Sequence, residues 1–123
     1  MNEDLLFNEA PEGPPRYSRL STKPVQYLTV ADKDGQVIGY AWANDEEDAA
    51  GWVVRKAGGD EAFNEGSVWA FKLHDAKARD IAPTAALAEM IQESDPTKTS
   101  HVVPDSLTEA PNADAVRQLG NSN

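Results

Sequence analysis

A chain of 123 residues with 40% apolar residues, 26% charged residues and a net charge of -10 has room for one domain and repels phosphate backbones and anionic lipid headgroups. The charge speaks against nucleic-acid and membrane-surface binding, both of which rest on Lys and Arg neutralising phosphate. With no cysteine, the chain forms no disulfide, thiolate metal site or cysteine nucleophile.

Residues 1–24 carry Pro11, Pro14, Pro15 and Pro24 among Glu, Asn and Ser. That composition buries too little apolar surface to offset chain entropy, so a disordered N-terminal arm is expected. Acids stand where an export signal needs bases, and Leu5, Leu6 and Phe7 make a very short apolar run, which points to a cytoplasmic protein. The stretch EDLLF, residues 3–7, has the make-up of a short linear docking motif. No stretch approaches the roughly 18 apolar residues of a membrane span.

The folded part is expected over 25–93. VQYLTVA and QVIGYAWA flank DKDG, which predicts a hairpin over 25–43 whose turn is Asp32, Lys33 and Asp34, with Gly35 in the left-handed conformation. This turn pairs Val30 with Ile38, Leu28 with Tyr40 and Gln26 with Trp42, and so places Leu28, Val30, Ile38, Tyr40 and Trp42 on one face. Asp32, Asp34 and Gly35 also suggest a calcium loop, but the register fails, because Val30 and Ala41 would fall at ligand positions.

Asn44 precedes Asp45, Glu46, Glu47 and Asp48, Arg55 and Lys56 follow Ala-Ala-Gly-Trp-Val-Val, and Gly58-Gly59 closes the run. Cap, leading acids, trailing bases and glycine predict a helix over 45–57, with a third strand through GWVVRK as its rival. A second helix is expected over Ser67 to Arg79, with a strand from Ser67 to His74 as its rival and the Ala, Lys and Arg content from Asp75 on favouring the helix. A third begins at Pro83, with Leu87, Met90 and Ile91 at helical spacing. Beyond Ser94 a mostly disordered tail, 94–123, is expected to hold one short helix from Ala113 to Leu119, capped by Asn112 and closed by Gly120.

Seven acids lie between Asn44 and Gly66, namely Asp45, Glu46, Glu47, Asp48, Asp60, Glu61 and Glu65, against Arg55 and Lys56. They form the candidate binding surface, an acidic stretch that attracts a basic protein partner by its field. The alternative is a divalent-metal-assisted enzyme using Asp45, Asp48 and His74. On a helix Asp45 and Asp48 share a side while Glu46 and Glu47 do not.

His101, Asp105 and Ser106 are the residue types of a nucleophilic triad, yet they lie within one expected tail and lack a rigid scaffold. Gly58-Gly59 is followed by Asp60 and Glu61, which repel a phosphate. The segment 67–93 has the outline of a helix-turn-helix but is slightly acidic, the reverse of a DNA reader. Trp42, Trp52 and Trp69 are expected to pack the core.

The hairpin DKDGQVIGYAWA, the acidic connector and the Ala-, Lys- and Arg-rich helices resemble, in style, small acidic proteins of high-GC actinobacteria. The resemblance implies no activity. The expected fold is α+β, a two- or three-stranded antiparallel sheet covered by two or three helices with disordered arms at both ends. The expected function is a non-enzymatic interaction module for a basic protein, without cofactor or catalytic residue. A small structural subunit of a larger assembly is a third reading, and the oligomeric state stays open.

Overall fold

A computed structural model describes residues 16–121. The elements in chain order are β1 (Val25–Asp32), β2 (Val37–Asn44), β3 (Ala49–Val54), α1 (Gly59–Ala78), α2 (Pro83–Glu93), β4 (Ser100–Val102), β5 (Thr108–Ala110) and α3 (Ala113–Asn121). The class is α+β, as expected, but the sheet has five strands rather than two or three. Its order is β3-β2-β1-β4, with β5 pairing β1 beside β4, and every strand pair is antiparallel.

The hairpin turn forms as its residues predict. The Asp32 carboxylate accepts from the amides of Asp34 at 2.9 Å and Gln36 at 3.0 Å, and Gly35 takes φ 85°. The expected register is overturned two residues further in. Ala31 meets Val37, but Val30 meets Gly39 and Leu28 meets Ala41, because a bulge at Ile38 inserts one residue into β2.

A shift of one residue sends alternate side chains to the other face. Leu28, Val30, Ile38 and Ala41 face α1 and α2, where Trp69, Leu73, Leu87 and Met90 cover them. Tyr40 and Trp42 point the other way, with Val25, onto Ala113 and Val116 of α3. The single apolar face expected from the pattern is thus two faces, each with its own helical cover.

The helix expected over 45–57 is a turn and a strand. Asn44 does act as a cap, its Oδ1 accepting from the Glu47 amide at 2.7 Å. The turn reverses at Asp48, whose φ is 49°, and AAGWVV then runs back beside β2. Three glycines explain why a Trp-Val-Val strand wins. The Trp52 indole lies between Gly39 and Gly66, where a methyl group would sit 2.4 Å and 2.5 Å from it, and Trp42 lies on Gly51 in the same way on the other face.

Helix α1 begins at Gly59, eight residues ahead of the expected start at Ser67. Helix α2 begins at Pro83 as expected. The disordered tail is overturned as well: β4 and β5 both pair with β1, and Asn112 caps α3 by accepting from the Ala115 amide at 2.9 Å. Burial of Ala113 and Val116 against Trp42 supplies what nine residues of helix lack alone.

Of the expected N-terminal arm, residues 1–15, with EDLLF, lie outside the described residues. The remainder is built into the fold. Tyr17 is buried and donates its hydroxyl to the Ile81 carbonyl, and Ser18 forms a parallel bridge with Ala49. Among the described residues, no helix is long and apolar enough to cross a membrane.

Candidate functional site

The acids of the turn after β2 are held by neighbours that the fold brings from far along the chain. Asp45 accepts from the Thr84 amide at 2.8 Å and from its hydroxyl at 2.6 Å. Glu47 accepts from the Ser21 hydroxyl at 2.6 Å, Glu46 lies 3.4 Å from Lys23, and Asp48 pairs with Lys77 at 2.7 Å. Each carboxylate of this turn therefore fastens it to another part of the chain.

The other acids sit elsewhere. Asp60 and Glu61 occupy the first turn of α1, where negative charge complements the helix dipole. Glu65 accepts from the hydroxyls of Ser100 at 2.8 Å and Thr99 at 3.0 Å, and Ser100 accepts in turn from the Trp69 indole at 2.8 Å. Asp48 reaches Lys77 near the C-terminal end of α1, whereas Asp60 starts it. At 1.5 Å per residue these points lie about 26 Å apart along the helix. The seven acids divide into two groups at opposite ends of α1.

Asp45 and Asp48 share a turn, but Asp45 is turned toward α2 and Asp48 toward α1. Among the described residues, no three His, Asp or Glu side chains converge to hold a metal ion. His74 is exposed and lines a cavity of about 250 Å³ beside β3, with Trp52 and Arg117.

His101, Asp105 and Ser106 do come together, around a cavity of about 430 Å³ that Ile91 and Leu107 also line. Ser106 Oγ accepts from the Thr29 amide at 3.0 Å, and among the described residues no hydrogen bond joins His101 to Asp105 or Ser106. The arrangement lacks the aligned nucleophile and base of acyl transfer.

What residue patterns alone did not single out is the solvent face of α1. Phe63 and Phe71, on one side with Ser67 between them, are 70% and 67% exposed, and Val68 beside Phe71 is 47% exposed. The signal was present, because Phe63, Ser67 and Phe71 recur at a helical spacing of four. A helix expected to start only at Ser67 leaves Phe63 outside that pattern.

The α1–α2 pair is bound on its outer side by ions. Arg79 places two guanidinium nitrogens on Glu89, at 2.7 and 3.1 Å, and its Nε on Asp75 at 3.0 Å. The hydrogen bonds from Arg79 hold the Glu89 carboxyl below its usual range. Lys72 lies 3.7 Å from Glu93 and over the Trp69 ring.

No protein-family model matches this chain, and no curated protein or solved structure matches it either.

Proposed function

We propose that this chain is a non-enzymatic interaction module that takes a basic protein partner on the outer face of α1. The observation that carries the reading is the exposure of Phe63, Val68 and Phe71 on one helix. Large apolar groups gathered on a polar surface mark contact sites more often than scattered single ones do. Asp60 and Glu61 stand one turn ahead of Phe63, and the segment 59–93 holds seven acids against Lys72, Lys77 and Arg79. A partner with apolar anchors and Lys or Arg at its rim matches that surface, and the field of the chain steers it in. The same exposed stripe supports a second reading, a subunit whose α1 face is covered permanently in a larger assembly.

Titration of the full chain with an amphipathic Lys/Leu helical peptide, followed by calorimetry, tests the proposal. Binding is expected that weakens as salt is raised and falls by about ten-fold or more in the Phe63→Ser/Phe71→Ser variant. Equal binding by the variant overturns the reading. Sedimentation at several concentrations separates self-assembly through α1 from binding of a foreign partner.

A further inference from the structure

The edge of the sheet at β3 has a different character from the rest of this acidic molecule. Ser18 closes the first part of that edge, donating its amide to the Asp48 carbonyl at 2.8 Å and accepting from the Ala50 amide at 3.0 Å. Those two bonds fix which residues of β3 face outward. In an extended strand they alternate, so the N–H and C=O of Trp52, like those of Ala50, point away from β2. Among the described residues nothing pairs with the Trp52 amide or carbonyl. An open edge of this kind is a template for another strand.

Beside this edge lies the cavity of about 250 Å³ floored by Ala50, Gly51 and Trp52 and flanked by Arg16, Arg19 and Arg117. Arg117 is set in place by three contacts: its Nη1 meets Asp114 at 2.7 Å, its Nη2 donates to the Arg19 carbonyl at 2.6 Å, and its guanidinium lies over the Trp42 ring. Arg16 and Arg19 are exposed, and among the described residues neither is paired with a carboxylate. A chain of net charge -10 thus gathers three of its eleven bases around the open part of one strand edge.

We propose that the open edge of β3 at Trp52, between the Ser18 bridge and the end of α3 at Gly120, pairs with an extended acidic segment of a partner protein, whose carboxylates are received by Arg16, Arg19 and Arg117. Main-chain bonds to Trp52 give the segment its direction, and alternate side chains face the arginines. A nucleic acid carries the same sign of charge but offers no main-chain amide to the Trp52 carbonyl. A second copy of this chain would set its own arginines against these. The surface is separate from the α1 stripe and stands whether or not that stripe binds.

The test uses the full chain and a fluorescein-labelled peptide of alternating Glu and Val, read by fluorescence anisotropy. Saturable binding is expected, weakened by about ten-fold or more in Arg16→Glu/Arg19→Glu and unchanged in Phe63→Ser/Phe71→Ser. Because both arginines are exposed, circular dichroism should show that the charge-reversal variant keeps its fold. A peptide of alternating Glu and Pro keeps the charge and cannot form the ladder, so it should bind much more weakly, and only the Val peptide should slow hydrogen exchange at the Trp52 amide. Equal binding of the two peptides overturns strand pairing, and tighter binding of an oligothymidylate overturns the choice of partner. A rise in affinity on replacing Glu3, Asp4, Glu9 and Glu12 with Gln assigns the edge to the chain's own acids and overturns it too.

Discussion

The carboxylate of Asp45 caps a helix that begins 38 residues later, gripping both the amide and the hydroxyl of Thr84, at 2.8 and 2.6 Å. The residue that precedes α2 is Ala82, which has no side-chain oxygen to offer. The turn after β2 therefore does for α2 what a local Ser or Asp does for most helices.

Replacing Asp45 with Ala should cost about 1 kcal/mol of folding stability, the usual worth of a cap, and Asp45→Asn should cost less because its carbonyl oxygen still accepts. Urea denaturation measures the difference. Hydrogen exchange should show the loss concentrated at the start of α2.

A methyl group at Gly39 would lie 2.5 Å from the Val53 carbonyl oxygen and 2.4 Å from the Trp52 ring. The backbone atom cannot swing aside, so Gly39→Ala should destabilise by about 2 kcal/mol or more. Gly66→Ala meets only the indole, at 2.5 Å, and improves helix propensity, so its cost should be smaller. Thermal unfolding of the two variants side by side checks the order.

Burial, with Asp48 and Glu89 nearby, raises the Tyr17 phenol from 10.0 to about 12. Its contribution is fully present below pH 10, where folded and unfolded chains both hold the proton, and is lost as pH rises toward 12. Tyr17→Phe should cost about 1 kcal/mol at neutral pH through the bond lost to Ile81. Between pH 10 and 12 the variant should lose less stability than the parent, which denaturant titration at stepped pH will show.

Val116 is fully buried against the second face of the sheet. Val116→Ala should lower stability by about 2 kcal/mol, the transfer free energy of two methyl-sized groups plus the cavity they leave. An unchanged unfolding midpoint would mean that α3 does not hold that face.

Local chemistry was legible wherever one short stretch decides the outcome: the Asp32–Gly35 turn, Pro83 at a helix start and Asn112 as a cap. The bulge at Ile38 leaves no such local mark, and the packing of Trp52 and Trp42 onto glycines of neighbouring strands shows only in the assembled sheet. β4 and β5, with three residues each, are too short to show a period, and their pairing with β1 depends on contacts 68 to 85 positions away. The acids were legible as charge but not as anchors, because Thr84, Ser21, Lys77 and Ser100 are distant in the chain. The open edge of β3 could not be foreseen while that stretch read as helix.

β1 has one further consequence, for biosynthesis. Its outer side is completed only when Ser100–Val102 and Thr108–Ala110 pair with it. At roughly 5–20 residues per second, a ribosome leaves that strand half-matched for about 4–16 s. Nascent polypeptides carrying this gene product thus spend seconds with an adhesive flank bare, and a holdase that shields it during translation should raise the yield of correctly assembled molecules.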